Sequence, residues 1–111
     1  MCVFCKIVNG ELPCQKVYED ENYLAFKDIN PKAPVHILII PKQHIEYLSD
    51  IDDSNKHIIG DMAVIANKIA KELGIDKSGY RVLINNGPDS GQEVFHIHMH
   101  LLGGKKMAFT V

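Results

Sequence analysis

His96-Ile97-His98-Met99-His100-Leu101-Leu102 alternates imidazole with apolar side chain, and a period of two is the spacing of a β-strand. All three rings therefore leave one face, while Ile97, Met99 and Leu101 leave the other and can enter a core. A ladder of imidazoles meets no ordinary packing need, because each buried ring requires a hydrogen-bond partner. The stretch reads as a site carried on a half-buried strand. Neighbouring rings on one face of a strand stand roughly 6.6–7 Å apart, and the outer pair roughly 13 Å. Metal–nitrogen bonds of about 2 Å let two such rings share an ion, but hardly three. The natural arrangement puts His98 at a reacting atom, with His96 and His100 beside it.

Working outward, Asn86-Gly87-Pro88-Asp89-Ser90-Gly91 is a turn-rich loop. Gly87 and Gly91 serve either a turn that needs positive φ or a close backbone approach to an anion such as phosphate, and Gln92 adds an amide. Tyr80 to Asn85 has strand character. From about Ser54 to Leu73 the period changes: Ile58, Met62, Ile65, Ile69 and Leu73 recur at three- and four-residue steps, joined by Ala66 and Ala70. That spacing predicts one long helix, capped by Asp52, Asp53 or Ser54 and ended by Gly74. Val35-His36-Ile37-Leu38-Ile39-Ile40 predicts a strand buried on both faces and stopped by Pro41.

Asn30-Pro31-Lys32-Ala33-Pro34 is a rigid loop. Lys16 to Glu19 and Tyr23 to Lys27 predict a hairpin around Asp20-Glu21-Asn22. Val3 to Val8 predicts a short helix, closed by Asn9-Gly10 and Pro13. Strands follow one another with few helical crossovers. The fold class is therefore α+β: an antiparallel sheet of about five strands with one long helix and a short N-terminal helix. Residues 1–111 are expected to form a single domain.

Hydrophobic residues make up 46% of the chain and charged residues 23%, the balance of a globular protein. A net charge of -2, with no basic cluster, argues against nucleic-acid binding. The longest apolar run, Val35 to Ile40 around a histidine, is too short to span a bilayer, so no membrane partner is expected. Met1-Cys2-Val3-Phe4-Cys5-Lys6 lacks the charged and apolar regions of a secretory signal, and the expected location is cytoplasmic. Three cysteines do not make a disulfide framework. Cys2 and Cys5 form a C-x-x-C pair, by itself a weak metal or redox signal, and Cys14 is an unpaired thiol. His36 reads as a core-strand residue with a satisfied ring and His57 as a solvent-facing helix residue.

The whole pattern resembles the histidine triad (HIT) family. His96 to Leu102 is similar to that family's His-φ-His-φ-His-φ-φ signature, with φ apolar. Phe4-Cys5-Lys6-Ile7-Val8, Ala25-Phe26-Lys27-Asp28-Ile29, Ile40-Pro41-Lys42-Gln43-His44, Asn85-Asn86-Gly87 and Ser90-Gly91-Gln92 stand where the family has similar residues. Leu102-Gly103-Gly104-Lys105 resembles the nucleoside-phosphoramidase (Hint-type) branch.

The resemblance implies a hydrolase that cleaves the P–N bond of purine nucleoside 5′-phosphoramidates through a nucleotidyl-histidine intermediate. His98 would be the nucleophile, and a neutral imidazole suits that task because it keeps a lone pair at pH 7. His96 and His100 would orient it and its phosphate, or help move a proton to the departing amine. Asp28 would accept hydrogen bonds from the ribose, and Ile29 would pack on the base. Asn85, Gly91, Gln92 and Val94 would line the phosphate and its leaving group, with His98 and His100 completing the nucleotide site. A homodimer is also implied, with an edge strand or the long helix as interface.

Two positions depart from the family. Glu93 stands where many members carry serine; its carboxylate would repel phosphate unless protonated or turned away, and would suit proton donation or amine recognition. Met107-Ala108-Phe109-Thr110-Val111 lacks the branch's tryptophan-proline-proline ending, which helps shape the partner's leaving-group pocket. Similar chains bearing the C-x-x-C pair bring two histidines to it, here His44 and His96. Cys2, Cys5, His44 and His96 would then hold a structural zinc ion in a closed tetrahedral site. Other readings are a dinucleoside polyphosphate hydrolase, which Gly103-Gly104 disfavours, a nucleotide-binding scaffold with incidental hydrolysis, and an open-site metalloenzyme built on His96 and His98.

Overall fold

Five strands form one antiparallel sheet in the order β1-β2-β3-β5-β4. They are β1 (Lys16–Glu19), β2 (Tyr23–Lys27), β3 (Val35–Pro41), β4 (Tyr80–Leu83) and β5 (Met99–Gly103), with helices α1 (Val3–Val8) and α2 (His57–Glu72). The computed structural model describes residues 2–108, so the last three residues of the atypical tail lie outside the described residues. No helix among the described residues is long and apolar enough to cross a membrane.

The α+β architecture matches the sequence reading, and the strand period explains its layering. Tyr23, Ala25, Ile37, Ile39, Met99 and Leu101 share one face and pack against the apolar side of α2. Leu24, Phe26, Leu38 and Ile40 share the other face and pack against Phe4 of α1. β3 is thus covered on both sides. Burial of these two apolar faces stabilises the fold by about 25 cal/mol per Å² removed from water.

Four local expectations shift. α2 begins at His57, not near Ser54, because the Asp52 carboxylate accepts the Ser54 N–H at 2.8 Å and closes a separate turn ahead of the helix. Leu73 is 44% exposed rather than buried: the chain turns away at Gly74, whose φ is +74°, and Ile75 enters the core instead. β4 ends at Leu83, short of Asn85. The strand ladder of β5 starts only at Met99, so His96 and His98 precede it.

The cause is Pro41. Extending the Ile39–Met99 register would set Pro41 opposite Ile97, but Pro41 has no N–H to give. Ile97 N–H bonds to the Ile45 carbonyl instead, at 2.6 Å. The alternation of burial survives this break, since Ile97 still joins the α2-side core.

Candidate functional site

A cleft of about 700 Å³ opens on the α1 side of the sheet, a volume suited to a small-molecule ligand. Val3, Phe4 and Ile7 of α1 form one wall. His36 and Leu38 of β3, Phe26 of β2 and His98 and His100 form the floor. Asp28 and Ile29 stand at one part of the rim; Asn85, Gly91, Glu93 and Val94 stand at another. Ile29 is 92% exposed, an apolar side chain with nothing over it beside an apolar cleft.

The sequence dictates how this wall is built. Gly87 and Gly91, with φ of +85° and +94°, bracket the tight turn Pro88–Ser90, a conformation that side-chain-bearing residues disfavour. Asp28 Oδ1 accepts the Asn30 N–H at 2.8 Å, which ties the loop after β2. Its other oxygen, Oδ2, lies 3.4 Å from His36 Nε2.

Backbone groups fix which ring nitrogen carries each proton. A carbonyl can only accept, so His98 Nδ1–H donates to the His96 carbonyl at 2.7 Å, leaving His98 Nε2 with its lone pair. Lys32 N–H donates to His36 Nδ1 at 3.0 Å, so the His36 proton sits on Nε2. That Nε2–H donates to His100 Nδ1 at 2.9 Å, leaving His100 with an Nε2–H. The cleft therefore receives one bare nitrogen from His98 and one N–H from His100, whose ring centroids are 5.0 Å apart.

Burial holds these rings neutral. It lowers the His98 pKa below the ordinary imidazole value, against a smaller opposing effect of the His96 carbonyl. Burial, with His98 and His36 nearby, takes His100 down to about 4. Burial also lowers His36, opposed by Asp28.

His96 turns elsewhere. Its Nε2–H donates to the Pro41 carbonyl at 2.8 Å, so Nδ1 presents a lone pair to Cys2 Sγ at 3.4 Å and Cys5 Sγ at 3.6 Å. His44 Nδ1 lies 3.5 Å and 3.2 Å from the same two sulfurs, which are 3.2 Å apart. All four ligand atoms fall within 4.8 Å of one another. Tetrahedral zinc, bound at about 2.3 Å to sulfur and 2.0–2.1 Å to nitrogen, spaces its ligands by about 3.3–3.8 Å. The donor set and spacing fit such an ion, with the sulfur–sulfur edge widening by about half an ångström and the Cys5–His44 edge by about a third of one. The carbonyl on the far nitrogen of His96 is the outer partner that metal-binding histidines require. Asp28, His36 and His100 also gather within 4.8 Å, but both His36 nitrogens already have partners.

The structure thus divides the three alternating histidines. His98 and His100 enter the cleft, and His96 is fully buried behind it with the thiols. An open metal site shared by His96 and His98 does not form among the described residues: His96 has one nitrogen on the Pro41 carbonyl and turns the other to Cys2 and Cys5, and His98 joins no such cluster. Gln92 also departs from expectation. It is buried, its carbonyl oxygen accepts the Gly87 N–H at 2.7 Å, and its amide donates to the Glu46 and Val94 carbonyls at 2.8 and 3.1 Å. It braces the loop from behind while Gly91, Glu93 and Val94 reach the cleft. Two contributors were not singled out from sequence: His36, which read as core, and Phe4. The parity of β3 held the signal for His36, since it shares the face of Leu38 and Ile40.

Comparison with known proteins identifies the family. The HIT domain model matches residues 9–107. The chain is 50% identical over 109 residues to an uncharacterized HIT-like protein of Buchnera aphidicola, covering 96% of this chain and 97% of that one. A HIT family hydrolase from Legionella pneumophila superimposes with a TM-score of 0.96 at 47% identity, covering 98% of this chain and 97% of that one. A Zn-bound histidine triad family protein from Mycobacterium smegmatis gives 0.82 at 39% identity, covering 94% and 75%. A histidine triad nucleotide-binding protein from Candida albicans gives 0.82 at 36%, covering 100% and 86%. With a family model spanning most of its length and relatives at half identity, this chain belongs to the histidine triad (HIT) family.

Proposed function

We propose that this protein, acting as a single domain, hydrolyses purine nucleoside 5′-phosphoramidates, with His98 as nucleophile. The observation that carries the reading is the fixed pair of tautomers: a bare His98 Nε2 and a His100 N–H share one cleft. His98 Nε2 attacks phosphorus, the P–N bond breaks, and its electron pair leaves with nitrogen, which takes up a proton. Water then attacks phosphorus and gives up a proton, AMP departs, and the Nε2 lone pair is restored. The His100 N–H is aimed to hydrogen-bond the charge developing on the phosphoryl oxygen or the leaving nitrogen. Asp28 would hold the ribose, Ile29 and the apolar wall of α1 the base, and Gly91 and Asn85 the phosphate.

Glu93 favours an amine leaving group over further phosphates. Glu93 lines the cleft, and its carboxylate has no hydrogen-bond or ion-pair partner among the described residues; turned inward, it would repel a polyphosphate chain and attract an ammonium. A nucleotide-binding relative of the same family supports the ligand class. The thiol–imidazole cluster would hold a zinc ion in a structural role, as a Zn-bound relative supports. A cytoplasmic homodimer is part of the proposal, with edge strand β4 and exposed Val64 of α2 toward the second copy.

The test is AMP release from an adenosine 5′-phosphoramidate by the wild type and His98→Ala, with acid-quenched mass spectrometry of the wild type. Loss of turnover by 10³-fold or more, on the order of 4 kcal/mol of barrier, and a nucleotidyl adduct on His98 are expected. Equal turnover, or an adduct on another residue, rules the mechanism out.

A further inference from the structure

Among the described residues, the backbone–backbone hydrogen bonds of residues 2–12 stay within that segment, from Lys6 N–H on the Cys2 carbonyl to Leu12 N–H on the Lys6 carbonyl. Side chains therefore fasten α1 to the sheet, and they do so on two sides. Cys2 and Cys5, one helical turn apart, face His44 and His96. Between them in sequence, Phe4 points into the α1-side core at 6% exposure. Its ring stands edge-on to His98 at 5.1 Å and 88°, to His96 at 5.9 Å and 71°, and to Phe26 at 5.5 Å and 76°. Val3 and Ile7 of the same helix line the cleft.

A second connection runs through the backbone. His96 offers Nδ1 to the thiols, and its own carbonyl accepts the proton that fixes the His98 tautomer. One residue therefore sits in the metal cluster and also orients the proposed nucleophile.

We infer that a metal ion in the Cys2–Cys5–His44–His96 cluster and a nucleotide in the adjacent cleft bind with positive coupling, with Phe4 as the positioning residue between them. Two ligands that each need α1 seated share the entropy of seating it, so each raises the affinity of the other. Thermodynamic linkage requires the two factors to be equal. The inference rests on the nucleotide reading of the cleft and adds what controls it. A metal serving stability alone would raise the melting temperature of the protein and leave nucleotide affinity unchanged.

The experiment titrates AMP calorimetrically into the zinc-loaded chain and into the chain freed of metal by a chelator. Zinc affinity is then measured by competition with a chromogenic chelator, with and without saturating AMP. Tenfold tighter AMP binding in the loaded form is expected, within the 5–150-fold range of site-to-site coupling, with the same factor for zinc when AMP is present. Phe4→Leu keeps all four metal ligands and an apolar side chain but lacks the edge-on ring. It should retain zinc while both factors fall to threefold or less.

Affinities within twofold of each other in the two wild-type forms overturn the coupling and leave the nucleotide reading standing. A loaded chain that binds no AMP overturns both. Failure to bind zinc in one-to-one stoichiometry overturns the metal's part in it. A factor unchanged in Phe4→Leu overturns the route through Phe4, and covers the case in which removing metal unfolds the whole chain.

Discussion

Replacing His36 tests whether the tautomer chain is what prepares the cleft. His36→Leu removes the Nε2–H that donates to His100 Nδ1 at 2.9 Å. The Lys32 N–H also loses its acceptor, but Lys32 is exposed and water can replace it. His100 is then free to adopt the other neutral tautomer, which turns a lone pair instead of an N–H toward a phosphoryl group. One such hydrogen bond is worth about 1–2 kcal/mol, which lowers kcat/KM roughly 5–30-fold. Leaving the half-buried His100 nitrogen unpaired should also reduce stability by about 1 kcal/mol.

His36→Gln carries an N–H donor to nearly the same place and should recover most of the activity. The assay is steady-state release of amine from an AMP phosphoramidate, with folding checked by circular dichroism and the His100 tautomer read from its ring ¹⁵N shifts. The reasoning is refuted by a folded Leu variant within twofold of wild type. It is equally refuted by a Gln variant as impaired as the Leu variant, since then the donor is not what matters.

Two further outcomes follow from packing and burial. His98 and His100 have lowered pKa values, that of His100 near 4, while an unfolded histidine titrates at about 6.5. Between those limits the unfolded chain binds more protons, so stability present above pH 6.5 is lost as the pH falls toward 4; urea midpoints in the presence of a chelator should drop steadily across that window, and a flat profile from pH 7 to 5 contradicts the assignment. Gly103→Ala would bring a Cβ to 2.6 Å from Ile75 Cδ1, and because Ile75 is only 5% exposed the crowding should cost about 1–3 kcal/mol. A calorimetric melting temperature lowered by about 4 °C or more is expected, whereas an unchanged one would mean that Ile75 rotates freely out of the way.

The periodicities carried most of the architecture. A period of two over Tyr23 to Lys27, Val35 to Ile40 and the histidine stretch, against three- and four-residue steps in α2, follows from backbone geometry and needs no knowledge of neighbours. The division of Ile97, Met99 and Leu101 from the three imidazoles was legible for the same reason. Element ends were less so. Asp52 had the chemistry of a helix cap but closes an earlier turn, and Leu73 fitted the apolar stripe yet lies beyond the point where Gly74 turns the chain. Both depend on where the chain goes next.

The chain by itself determined that an α+β sheet would carry imidazoles on one face, and which side chains could bear chemistry, because side-chain direction and residue type are local properties. What each ring does was decided in three dimensions. His96 joins thiols from the other end of the chain, His98 takes its tautomer from a carbonyl, and His36 reaches His100 across a strand pair. A histidine's role is set by the group opposite each nitrogen, and those groups lie up to 94 residues away in sequence; only packing of the sheet, helix α1 and the loop after β3 brings them within hydrogen-bond reach.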